Sequence, residues 1–183
     1  MKTITFNDNN LTRKDIEYEV TKARAIMIND KDEIFISNYA GNYMLPGGAV
    51  EGLEDFIEAL QREVKEETGI ELNVNAIEPF LIIEQYIKNY PRRKTENDLM
   101  NRYMETEYYI YSTNEDINPN KMKLMENEIK ANFKTTRVSL EQALALVEQS
   151  KTNDNPRNKY FSRELIAVVR ELQRYLEKKE MEK

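Results

Sequence analysis

Cysteine and histidine are both missing from this chain of 183 residues. Without thiols there are no disulfides, so folding makes no demand for an oxidising compartment, and no cysteine nucleophile is on offer. Without imidazole the commonest general base is lost, and with both gone nearly every protein zinc site is excluded. Long apolar runs are missing too. Nothing approaches a membrane span, and the opening stretch MKTITFNDNNLTRKDIEYEV lacks the apolar centre of a secretory leader. A cytoplasmic location is the expectation, with no membrane partner. Excess positive charge is also absent. The 27 Lys and Arg are outnumbered by 33 Asp and Glu, a net charge of −6, which argues against nonspecific nucleic-acid binding. Hydrophobic residues make up 40% of the chain, enough for a core, and the length predicts a single domain over residues 1–183.

Periodicity predicts mixed α and β structure. A strand is expected near residues 3–6, and a hairpin from 23–28 and 33–38 around Asn29-Asp30-Lys31-Asp32. A short strand is expected at 43–45, a helix at 53–68, and strands at 72–74 and 76–87, with Pro79 marking an edge or bulge. Residues 89–101 read as a polar loop insertion carrying the basic cluster Arg92-Arg93-Lys94, a substrate lid or a solvated loop. Alternation over 102–112 predicts a strand with Tyr103, Tyr109 and Tyr111 on one face and Tyr108 and Ile110 on the other. Ser139-Leu140-Glu141-Gln142 is a capping box opening a helix to about Gln149. An amphipathic helix over 157–179 presents Phe161, Leu165, Val168, Val169, Leu172 and Leu176, a face expected to pack on the sheet, with a homodimer seam as the alternative.

The densest pattern runs from Gly48 to Ile70. Gly48, Glu54, Arg62, Glu63, Val64, Glu66, Glu67, Gly69 and Ile70 stand in the order G-x5-E-x7-R-E-apolar-x-E-E-x-G-apolar. Glu63, Glu66 and Glu67 at i, i+3 and i+4 share one face of a helix. Three anions so placed repel one another unless something positive sits between them. Oxygen ligands with no thiol or imidazole suit Mg²⁺ or Mn²⁺. On a wheel of about 100° per residue, these carboxylates abut the stripe of Phe56, Ile57, Leu60 and Val64 instead of opposing it. That places them at the edge of the core, where a cleft can form; a merely solvated acidic face would lie opposite the stripe. Gly47 and Gly48 precede the helix where close backbone approach needs glycine. Gly69 follows it as a left-handed C-cap, and Arg62 is set to pair with a neighbouring carboxylate.

With the lead-in Leu45-Pro46-Gly47-Gly48, this segment resembles the box of the Nudix hydrolases. The resemblance implies a Nudix α/β/α sandwich with a mixed β-sheet between helices. It implies hydrolysis of a nucleoside diphosphate linked to another moiety, X, by metal-activated water, with Mg²⁺ or Mn²⁺ as cofactor and a nucleotide-type small molecule as partner. By position, Glu63, Glu66, Glu67 and the Gly48 carbonyl would be metal ligands, and Arg62 would orient Glu63. A further glutamate is often found on a loop beyond the box; Glu126 and Glu128 stand in that region, with Glu128 the catalytic candidate. Arg24, Arg92 and Arg93 are candidate phosphate contacts, each weighed against an ordinary exposed arginine.

Tyr86 resembles the tyrosine that marks the dinucleoside polyphosphate group, its rival reading being a buried strand tyrosine. The proline that marks ADP-ribose pyrophosphatases is absent, Pro79 standing too early. The superfamily's isomerases use a thiol that this chain lacks. The alternative function is a nucleotide-binding sensor without turnover, which the intact box argues against.

Overall fold

The computed structural model describes residues 1–92 and 98–182. Strand β1 (Lys2–Phe6) leads to β2 (Tyr18–Ile28), β3 (Glu33–Tyr39), β4 (Asn42–Met44) and β5 (Gly47–Ala49). Helix α1 (Phe56–Thr68) follows, then β6 (Glu78–Pro91), β7 (Leu99–Ser112), α2 (Glu126–Lys130), β8 (Lys134–Ser139), α3 (Leu140–Ser150) and α4 (Asn158–Met181). Among the described residues the strands form one mixed sheet in the order β1-β6-β7-β2-β3-β4, with β5 against β2 and β8 against β3. No described helix is long and apolar enough to cross a membrane.

Period-two alternation divides the core between the sheet's two faces. On one face, Ile26 and Ile28 of β2, Leu81 and Ile83 of β6, and Tyr108 and Ile110 of β7 pack beneath Val147 of α3 and Leu165, Val168, Val169 and Leu172 of α4. On the other, Ala23, Ala25, Met27, Tyr109 and Tyr111 meet Ala59, Leu60 and Val64 of α1. The expected split of the β7 tyrosines is therefore observed, and the sheet lies between α1 on one side and α3 with α4 on the other. Small residues at Ala23 and Ala25 let α1 sit close to β2.

Several elements depart from expectation. β2 and β3 meet at a single pair, Ile28↔Ile34, because β2's edge is taken by β5, with Arg24↔Gly47, and by the bond from the Ala25 amide to the Pro46 carbonyl (2.8 Å). The turn between β2 and β3 is held by Asn29 Oδ1, which accepts from the amides of Lys31 and Glu33. Residues 72–74 do not form a strand; a 3-10 turn covers Val74–Ala76, capped by the Asn73 side chain. The polar stretch 89–101 is not a loop throughout. Tyr90↔Met100 and Pro91↔Leu99 continue the β6–β7 ladder after a register shift at Ile87/Tyr90, where Asn89 takes φ 55°. Residues 93–97, including Arg93 and Lys94, lie outside the described residues. Pro79 does sit at a register shift, as expected of a residue with no amide to donate. β8 and α2 had no sequence signal strong enough to be separated from loop.

Leu172 is 1% exposed at the centre of the α4 contact. Leu172→Ala should lower stability by about 3 kcal/mol, read as a reduced urea midpoint at unchanged m-value.

Candidate active site

Backbone comes first in building this site. Gly47 has φ 127°, and a Cβ there would lie 2.2 Å from the Ala23 carbonyl oxygen. A Cβ on Gly48 would lie 2.4 Å from the Glu63 carboxylate. Only a bare backbone can pass between β2 and α1 here. Arg24 secures the same loop. Its guanidinium donates to the carbonyls of Leu45 and Gly47 (2.8 Å for the latter) and approaches Met44 Sδ at 3.4 Å. Arg24 is thus neither a surface arginine nor a free phosphate contact. It is 4% exposed and its donors are committed to the loop.

Helix α1 then presents the acids. Asp55 caps it, accepting from the amides of Ile57 and Glu58 at 2.8 Å, which starts the helix at Phe56, later than the hydrophobic pattern suggests. Gly69 closes it in the left-handed region, φ 73°. Arg62 is gripped by both oxygens of Glu54 (2.6 and 2.9 Å) and donates to Glu63 Oε1 at 2.7 Å and to the Ala49 carbonyl at 3.0 Å. Glu66 lies 3.7 Å from the same guanidinium. The Arg62 pairing, helped by the Glu51 amide, holds Glu54 down at about 2. This makes Glu54 the anchor of Arg62, a role the sequence pattern alone left undefined.

Glu67 is 5% exposed and accepts from the Gly47 amide at 3.0 Å. Burial pushes its carboxyl up to about 8, against the lowering pull of Arg24 and the Gly47 amide; Glu63 and Glu128 push it further. Glu66 is raised as well, first by burial and then by Glu63, with Glu128 adding to it. Glu128, on α2, is therefore brought into the field of the box carboxylates. Glu126 is exposed and pairs with Lys130 at 2.6 Å.

The remaining candidates lie elsewhere. Tyr86 is half-buried and packs edge-on against Tyr103, ring centroids 4.8 Å apart. Tyr103 pairs with Glu19 on β2, and Ala23, opposite Gly48, lies four residues further along, about 13 Å at strand rise. Arg92 is exposed and faces Asp98 at 3.6 Å. Arg93 lies outside the described residues.

Among the described residues no group of three carboxylates is already drawn together closely enough to hold a metal ion, and Arg62 stands between Glu63 and Glu66. The donors nevertheless fit a small hard cation in kind. All are oxygens, and Glu66 and Glu67 are held at raised pKa by burial and by the repulsion of Glu63 and Glu128, which a cation would relieve.

The NUDIX domain family model matches residues 20–165. Among curated proteins, a stretch of 63 residues is 40% identical to the 8-oxo-dGDP phosphatase NUDT18 of Mus musculus, covering 32% of this chain and 19% of that protein. A stretch of 64 residues is 41% identical to its counterpart in Danio rerio, with the same shares covered. The match thus spans about a fifth of the length of these relatives. A crystal structure of a C. elegans Ap4A hydrolase binary complex superposes with a TM-score of 0.53 at 14% identity, covering 86% of this chain and 97% of that one.

The raised Glu67 carboxyl links stability to pH. Between 4.5 and about 8 the native state keeps a proton that the unfolded chain has lost, so stability falls as pH rises through that window. Thermal melts of chelator-treated protein should show Tm falling from about pH 5 to about pH 8, and Glu67→Gln should flatten the slope.

Proposed function

The chain belongs to the NUDIX family, and from that premise we propose that it is a hydrolase splitting the pyrophosphate bond of a nucleoside diphosphate linked to another moiety, X, with Mg²⁺ or Mn²⁺. The observation that carries this reading is the approach of Glu63 to Gly48 and of Glu67 to the Gly47 amide, with Glu66 on the same helix 3.7 Å from Arg62, beside a loop stripped of side chains at Gly47 and Gly48. Glu63, Glu66, Glu67 and the Gly48 carbonyl would hold the cation. When bound, it neutralises diphosphate oxygens and lowers the pKa of water.

The protein's own groups do the rest. Arg62, braced by Glu54, fixes the rotamer of Glu63. The Gly47 amide and Arg24 set the loop and orient Glu67. Water attacks one phosphorus, the bridging P–O bond breaks with its electron pair leaving on the departing phosphate, and a carboxylate of the cluster takes the water's proton. Glu128 supplies a carboxylate from outside the box.

The 8-oxo-dGDP phosphatase and Ap4A hydrolase names of the relatives place an oxidised guanine nucleotide and a dinucleoside polyphosphate among the compounds worth assaying. Phosphate release from a panel of nucleoside diphosphate compounds should require Mg²⁺ or Mn²⁺ and stop on adding chelator. Glu63→Gln and Glu67→Gln should each cut turnover by about 100-fold or more with an unchanged circular dichroism spectrum. Wild-type rates in both variants would overturn the assignment of these glutamates, and tight nucleotide binding without release would replace the catalyst with a sensor.

A further inference from the structure

A second concentration of charge lies on the sheet face that α4 covers, outside the carboxylate cluster. β2 turns Lys22 and Arg24 to that face, and β7 turns Arg102, Thr106 and Tyr108 to it. Arg157, just before α4, and Glu164, on it, complete the set. Arg24, Arg102 and Arg157 all repel the Lys22 ammonium, and the carboxylate set against them is Glu164.

Most of these groups are already committed. Arg24 holds the Gly47 loop. Arg157 donates to the carbonyls of Pro91 and Arg92. Glu164 accepts from Gln85 (2.8 Å) and from the Tyr108 hydroxyl.

Lys22 is different. Its ammonium has no hydrogen bond or ion pair among the described residues, lies 5.4 Å from the Phe161 ring centroid, and belongs to a half-buried residue. Burial pushes it down to about 7. Among the described residues the hydroxyl of Thr106, itself 1% exposed, is buried without a partner, as is Nε of Arg102, whose guanidinium lies 4.5 Å over the Tyr90 ring. Lys22 and Thr106 pair in register, so their side chains are neighbours on one face. A partly desolvated cation and a buried donor left unmatched cost stability, and an anion taking both Lys22 and Thr106 would offset that cost. Lys22 also pairs with Ala49 across β2 and β5, one residue beyond Gly48. The unmatched donors therefore adjoin the loop of the proposed active site, on the face away from α1.

We propose that Lys22 and the Thr106 hydroxyl form a phosphate subsite for the moiety X, so that the preferred substrate carries a phosphate beyond the diphosphate that is cleaved. The inference rests on the hydrolase reading above, but its core, phosphate binding at Lys22, can be tested without turnover. That phosphate has two chemical sources, a longer polyphosphate chain or a phosphate ester on X.

Calorimetric titration of chelator-treated protein with inorganic phosphate and tripolyphosphate should show binding that weakens about 10-fold in Lys22→Met and stays within about 3-fold of wild type in Lys22→Arg. Thr106→Val, which keeps the side-chain shape, should weaken it about 3-fold. In turnover, wild type should favour compounds bearing the additional phosphate, and Lys22→Met should shrink that preference about 10-fold. Comparing a lengthened polyphosphate with a phosphorylated X identifies the source.

Absence of phosphate binding in wild type, or equal binding in Lys22→Met and Thr106→Val, overturns the subsite. Binding that depends on Lys22 in a protein hydrolysing no diphosphate compound keeps the subsite and removes the hydrolase reading instead.

Discussion

The passage of a bare backbone between β2 and α1 is the constraint on which the site depends. At Gly47 the Ala23 carbonyl leaves no room for a Cβ, and at Gly48 a Cβ would displace the Glu63 carboxylate. This close approach brings the Gly47 amide to Glu67 and the Gly47 carbonyl to Arg24. Strand, loop and helix are thereby tied at a single point. Ala23 and Ala25 extend the same logic into the core, since small side chains there let α1 lie against β2.

Charge is distributed around that point in a way that separates support from chemistry. Arg62 and Arg24 are saturated by carboxylates and carbonyls, so their task is positional. Glu54 is spent on Arg62 and stays ionised well below the usual carboxylate range. Glu66 and Glu67 are the opposite case, with burial and neighbouring acids raising both above the usual carboxylate value. A site containing both kinds of glutamate within a few residues is poised to take up positive charge, because only the second kind gains by it. On the other face, Lys22 and the Thr106 hydroxyl, unmatched among the described residues, give the sheet the complementary bias, toward an anion.

Local signals were reliable where chemistry is local. Ser139 and Gly69 act as the expected caps because an oxygen side chain or a left-handed glycine meets that need within a few residues. The tyrosines of β7 divide between the faces because alternation is a property of the strand itself. Signals failed where the deciding partner is distant. β2 and β3 part after one pair because β5 claims the edge, and β6 and β7 continue through a polar stretch because each supplies the other's backbone partners. Arg24 alternates with Ile26 and Ile28, so its face was readable, but its burial was set by the carbonyls of the loop.

By itself, the order of residues from Gly48 to Ile70 determined the helix, its glycine C-cap, the spacing of three carboxylates along one face and a preference for oxygen ligands over sulfur or nitrogen. Those follow from helical periodicity and side-chain chemistry, which need no knowledge of the rest of the chain. Tertiary structure decided which of the other charged residues join them. It brought Glu128 into the field of Glu66 and Glu67, left Glu126 outside, buried Arg24 against the loop, paired Tyr86 with Tyr103, and left Lys22 without a partner among the described residues. The reason is that desolvation and electrostatic coupling depend on distances between segments far apart in sequence, and only folding sets those distances.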